Sequence, residues 1–181
     1  MSYYAGIGAR ATPMYVQEYF SSLAAFLATK GFTLRSGGAQ GADIAFELGC
    51  DRMNGQKEIY LPWKYFERSN SNLIVSNPKA FEIAEQFHPY WNNLKAGAKK
   101  LQARNSHQVL GYALDEPVKF VICWTKDGKG SGGTGQALRI AKHYGIPIFD
   151  AGKYETVDEI KVELKRFLIE NGVFSEEELS R

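Results

Sequence analysis

The residues whose types and spacing suit chemistry fall in three glycine-rich stretches. The last is Gly130-Ser131-Gly132-Gly133-Thr134-Gly135-Gln136, between the apolar run Val118–Trp124 and a helical pattern that follows. The first is Gly6-Ile7-Gly8-Ala9-Arg10, and the second is Ser36-Gly37-Gly38-Ala39-Gln40-Gly41-Ala42-Asp43, directly after Arg35. Glycine lets backbone approach a ligand closely and take up positive φ at little cost. A helix that starts there offers unpaired N–H groups and a positive dipole end, which together suit a phosphate or carboxylate. The candidate binding residues are therefore Gly8, Ala9 and Arg10 in the first loop, Arg35, Ser36, Gly37, Gly38, Gln40, Gly41 and Asp43 around the second, and Gly132, Gly133, Thr134, Gly135 and Gln136 in the third. Arg10 and Arg35 would supply planar forks matched to phosphate; the alternative for each is a solvated surface charge. Asp43 fits either a hydrogen bond to a ribose or base or a helix cap. Trp124, at the exit of its strand, fits either a base stack or the core.

The same loops exclude two common nucleotide chemistries. A dinucleotide fingerprint GxGxxG would need glycine where Ala11 stands, and Arg35 replaces the acidic residue at the end of the second strand. None of the loops ends in Lys-Ser or Lys-Thr, so P-loop hydrolysis is excluded. Cys50 and Cys123 lie far apart in apolar contexts with no CxxC or Cys/His cluster. They predict buried thiols in a reducing compartment and no metal site. No cofactor is expected. On the segment between the second and third loops, Arg104-Asn105-Ser106-His107-Gln108 is the one polar cluster that looks selected for contact, and Trp63 with Lys64 sits at the edge where the third strand ends. Lys95, Lys99 and Lys100 read as a solvated face.

These loops need elements to hold them. Tyr3–Ile7, 32–35, 58–62, 118–124 and 146–149 read as strands, with Thr12 as N-cap of a first helix whose apolar face is Val16, Tyr19, Phe20, Leu23 and Leu27. A second helix runs from about Ala42 to Cys50, another over 136–144, and a last one through Val157, Ile160, Leu164, Phe167 and Leu168 to Asn171-Gly172, followed by a frayed acidic end. Strands separated by helices imply right-handed crossovers and a parallel sheet, with the loops gathered at its carboxyl edge. The fold class is α/β: a Rossmann-like, doubly wound, mainly parallel sheet of about five or more strands. The domain organisation is one domain over 1–181 with a helical insertion at about 64–116. That insertion begins as a polar surface excursion to Asn77 and continues as helices from Pro78 to about Phe87 and, in one piece or two, from Tyr90 to about Gly111.

With 44% hydrophobic and 23% charged residues the composition is that of an ordinary globular chain. A formal net charge of +2 is too small to argue for nucleic acid without a local site. The first residues lack a basic region and an apolar core, and no run reaches the ~18 apolar residues of a membrane helix, so a cytoplasmic protein with no membrane partner is expected.

In series, GIGAR at 6–10, LRSGGAQGAD at 34–43, EIYLPW at 58–63 and GGTGQA at 132–137 resemble the SLOG superfamily, which unites DNA processing protein A with the lonely-guy cytokinin-activating enzymes. The short bacteriophage-type proteins similar to DNA processing protein A are the nearest in pattern, through Arg104-Asn105 to Leu110-Gly111 and Val121-Ile122-Cys123-Trp124-Thr125. The resemblance covers residues 3–150. It implies a Rossmann-like fold binding a nucleotide or the phosphates of single-stranded nucleic acid, a role in DNA processing or recombination, and pairing into a homodimer. It departs from the lonely-guy pattern PGGxGTxxE: Arg139 falls where the glutamate that helps to cleave the N-glycosidic bond would stand, Ser131 replaces the proline, and Gln136 replaces the threonine. An enzyme would need another carboxylate, with Asp43 and Glu47 the first candidates and Asp115 a further one. Three readings therefore share one phosphate cradle: a non-catalytic nucleotide or single-strand binder, a nucleoside 5′-monophosphate phosphoribohydrolase, and a protein that sequesters a nucleotide-derived signal.

Overall fold

Apolar strands alternating with amphipathic helices assemble in the computed structural model, which describes residues 1–180, into one six-stranded sheet. In chain order the elements are β1 (Ser2–Gly8), α1 (Met14–Thr29), β2 (Phe32–Ser36), α2 (Ala42–Arg52), β3 (Lys57–Leu61), β4 (Leu73–Ile74), α3 (Pro78–Phe87), α4 (Ala96–Leu110), β5 (Val121–Trp124), α5 (Thr134–His143), β6 (Ile148–Asp150), α6 (Val157–Glu170) and α7 (Glu176–Leu179). All strand pairs are parallel, in the order β4-β3-β2-β1-β5-β6. The α/β Rossmann-like expectation is met. The additional strand is β4, two residues long, which pairs with β3 through Tyr60↔Leu73 and Leu61↔Ile74.

Alternation along the strands sorts the core into two layers. On one face Tyr4, Leu34, Phe120 and Ile122 meet Phe20, Phe46 and Leu164 of α1, α2 and α6; on the other Ala5, Ile7, Val121 and Cys123 meet α3, α4 and α5. The chain builds outward from β1 to β4, then returns over the second face through α3 and α4 to place β5 on the other side of β1. The order of strand addition therefore reverses between β1 and β5, where the loops that follow the two strands separate and leave a crevice.

Some local expectations change. Thr12 does not cap α1: its hydroxyl donates to the Ala9 carbonyl at 2.5 Å, and the helix starts at Met14 behind Pro13. The helix expected from Tyr90 is a short 3-10 turn (Trp91–Asn93) followed by α4, which starts at Ala96. The acidic end is ordered as α7 by a capping box, Ser175 Oγ accepting the Glu178 N–H and Glu178 accepting the Ser175 N–H. Among the described residues no helix is long and apolar enough to cross a membrane.

Candidate nucleotide-binding crevice

At the switch point lies an open crevice of about 420 Å³. Its floor and one wall are loop backbone, from Gly8, Ala9, Arg10 and Ala11 after β1, Ala39 and Asp43 after β2, and Gly133 and Thr134 after β5. The opposite wall is a face of α4, with Leu101, Gln102, Arg104, Asn105 and Gln108 at helical spacing, and Phe66 closes one end.

Asp43 ties the two N-terminal loops together. One carboxylate oxygen accepts the Gly8 N–H at 3.2 Å and the other accepts the Ala39 N–H at 3.3 Å. Burial pushes its pKa from 3.8 up to about 6, against the pull of Arg104 and of those two N–H groups. Gly41 makes the approach of the loops feasible. Its φ is +91°, and a Cβ there would stand 2.5 Å from the Ala9 carbonyl oxygen. Ser36 contributes below the crevice, its hydroxyl donating to the Gly6 carbonyl at 2.6 Å.

The α4 wall carries the side-chain chemistry. Arg104 is buried; its Nη1 donates to the carbonyls of Gly37 and Tyr60, and its Nε donates to Asn105 Oδ1 at 3.1 Å. Burial lowers its pKa from the ordinary guanidinium value, which Asp43 opposes. Its Nη2 has no hydrogen-bond partner among the described residues. Asn105 in turn donates from Nδ2 to the Gly133 carbonyl at 3.1 Å, which fixes the third loop to α4. Gln108 is 2% exposed, lines the crevice, and makes no hydrogen bond among the described residues. Gln102 Oε1 is likewise buried without a partner. Gly37 leaves the space these groups occupy, since a Cβ there would lie 2.1 Å from Gln108 Nε2 and 2.5 Å from Arg104 Nη1.

Of the residues singled out in the sequence, Gly8, Ala9, Arg10, Asp43, Gly133 and Thr134 come together at the crevice. Gly37, Gly38 and Gly41 support it from the second loop, with Gln40 exposed beside them. Arg10 reaches the mouth with a 58% exposed side chain and pairs with Glu67 at 2.8 Å. Four residues are elsewhere. Arg35 points onto the sheet face beneath α4; it is buried over the Tyr3 ring at 3.8 Å and pairs with Glu58 at 2.9 Å. Gln136 is fully buried on α5 and donates to the Ala84 carbonyl at 2.9 Å. Trp124 packs half-buried against the first core layer. Glu47 pairs outward with Lys57 at 2.8 Å. Gly135 is buried under the third loop, where a Cβ would meet the Gly130 carbonyl oxygen, and Gly132 is exposed with nothing nearby. Arg139 donates to the Phe87 carbonyl at 2.8 Å and so closes the C-terminal end of α3. Among the described residues no cluster of His, Cys, Asp and Glu is suited to a metal ion.

No family model and no curated protein matches the sequence. Solved structures do. DNA processing protein A from Helicobacter pylori, described for its single-stranded DNA binding mode, superposes with a TM-score of 0.56 at 22% identity over 92% of this chain and 73% of that one. A protein designated TM1055 superposes with a TM-score of 0.52 at 17% identity, covering 82% of this chain and 72% of that one. At such identities the likeness is one of fold, and it agrees with the α/β Rossmann-like architecture expected from the glycine loops.

Proposed function

We propose that the crevice holds a nucleotide unit of single-stranded nucleic acid without cutting it. The observation that carries this reading is the mixture of unmet hydrogen-bonding groups on α4. A bare anion needs donors only. Here Gln102, Arg104 and Gln108 line the same crevice, donors together with an unpartnered acceptor, Gln102 Oε1, which suits a ligand that carries N–H or O–H groups next to its phosphate. The first N–H groups of α5 and the backbone of the first two loops would complete the phosphate cradle. The fold likeness to a protein described as binding single-stranded DNA supports the polymer over a free nucleotide. DNA processing or recombination, a phage-type origin and a homodimer are the finer parts of this reading.

The phosphoribohydrolase reading draws on one observation, the raised pKa of Asp43 at the crevice. Against it, both Asp43 oxygens already accept backbone N–H groups, Glu47 faces away, and Arg139 is committed to the end of α3. The test is anisotropy titration of a labelled single-stranded oligonucleotide across salt concentrations. Affinity should fall linearly on a log–log plot, and Arg10→Ala should reduce the slope by about one. No binding at low salt, or binding indifferent to salt, overturns the proposal. Release of free base from nucleoside monophosphates, lost in Asp43→Ala, would select the hydrolase instead.

A further inference from the structure

The segment that leaves β3 has an unusual backbone. Tyr65, Glu67 and Arg68 all adopt positive φ, of 61°, 50° and 66°, a region that non-glycine residues seldom occupy. The turn has two results. It drives Phe66 inward to 5% exposure as the end wall of the crevice, and it leaves the rings of Trp63 and Tyr65 outside at 41% and 64% exposure. These rings are continuous with the crevice. Trp63 stands edge-on against Phe66 with centroids 5.5 Å apart, and the guanidinium groups of Arg104 and Arg10 both approach the Phe66 ring, at 5.6 and 5.8 Å from its centroid. Trp63 also lies beside Gly97, in the first turn of α4, a turn with no acidic residue. Lys64 sits over the Tyr65 ring at 5.1 Å. Lys64, and Lys100 one turn along α4 from Gly97, make no ion pair among the described residues.

We infer that this strip, from Arg10 past Phe66 to Trp63 and Tyr65, is the path of single-stranded DNA leaving the crevice. Bases stack on the two exposed rings, and Lys64 and Lys100 meet the phosphates. Aromatic faces beside unpaired cations suit a single strand better than a protein partner, because every base has a π-face and every link carries a charge. A duplex keeps its bases stacked on one another and gains nothing from such rings. The inference rests on the crevice reading and extends it from one nucleotide to several.

The test compares a labelled dT12 with the 5′-phosphorylated dinucleotide pTpT, which is long enough for the crevice and too short for the strip. Trp63→Ala and Tyr65→Asn should each weaken dT12 binding about tenfold, the scale of one lost base stack, and leave pTpT within about twofold of wild type. Tyr65→Asn changes an exposed side chain to one that tolerates positive φ, so it keeps the test alive if Trp63→Ala fails to fold. Titration of dT12 should also quench tryptophan emission in wild type and much less in Trp63→Phe. Variants that bind dT12 as wild type does, or pTpT binding with no gain for dT12, overturn the strip and leave the crevice standing. An RNA 12-mer of the same base composition bound more tightly than the DNA overturns the assignment to DNA. Failure of wild type to bind either DNA probe at low salt overturns the crevice reading itself, and the strip with it.

Discussion

The two walls of the crevice are made of different materials. The loop wall is mostly backbone, and its buried carboxylate, Asp43, has both oxygens engaged in joining the first loop to the second. The α4 wall is side chain, and it keeps unmet hydrogen-bonding capacity at Gln102, Arg104 and Gln108. Loops of this kind supply shape and a phosphate-sized cradle, which many ligands share. The helix supplies the groups that can tell one ligand from another. Shape is therefore expected to respond to changes in stability, and selectivity to changes on α4.

The sharpest break is Arg104→Met. It removes a donor from the Gly37 and Tyr60 carbonyls and a cation from the crevice at once. Oligonucleotide binding should fall about a hundredfold or more, and urea denaturation should show a loss of about 2–4 kcal/mol. Arg35→Met separates structure from binding. The buried guanidinium holds Glu58 and the loop at Glu116, so stability should drop by about 2–3 kcal/mol, less than a fully buried pair because both carboxylates reach solvent. Affinity per folded molecule should be unchanged, and a large loss of affinity would return Arg35 to the site.

Asp43→Asn tests the loop wall through pH. A carboxyl at about 6 in the folded chain and 3.8 in the unfolded one binds more protons when folded. Its contribution to stability is thus complete below pH 3.8 and is lost as pH rises through 6. Between pH 4.5 and 7 the wild type should lose about 2 kcal/mol relative to Asp43→Asn, measured as the change in the gap between their denaturation curves. A constant gap would mean that Asp43 stays ionised throughout. Gln108→Leu is the smallest change and the most selective: binding about tenfold weaker, with stability within about 0.5 kcal/mol of wild type because no intramolecular bond is lost.

The convergence of the three loops was legible because strand, glycine loop and helix recur in order, and a parallel sheet brings such loops to one edge. The α4 cluster from Arg104 to Gln108 was visible as polar residues in a segment with no other reason for them. Arg35 stands next to a glycine loop in sequence, but strand alternation decides which way its side chain goes. Leu34 faces one core layer, so Arg35 must face the other, where parallel register sets it opposite Glu58. Gln136 lies one helical turn before Ile140, on the buried side of α5, a spacing that argued for packing. The turn at 65–68 was hidden, since no glycine or asparagine marks its positive φ angles. β4 was hidden too, being two apolar residues after a polar stretch.

One feature of the topology bears on how the protein comes into being. β1 and β5 are neighbours in the sheet, although most of the chain lies between them. The crevice lies where the loops that follow these two strands part, so it is incomplete until the third loop has been synthesised and β5 has docked beside β1. A chain interrupted at the end of α4 would carry two of the three loops and the whole helical wall, yet have no cradle to close. Ligand binding therefore reports completed folding, and a resin bearing single-stranded DNA should retain finished molecules and pass truncated ones. By the same linkage, saturating ligand should raise the melting temperature of the full chain.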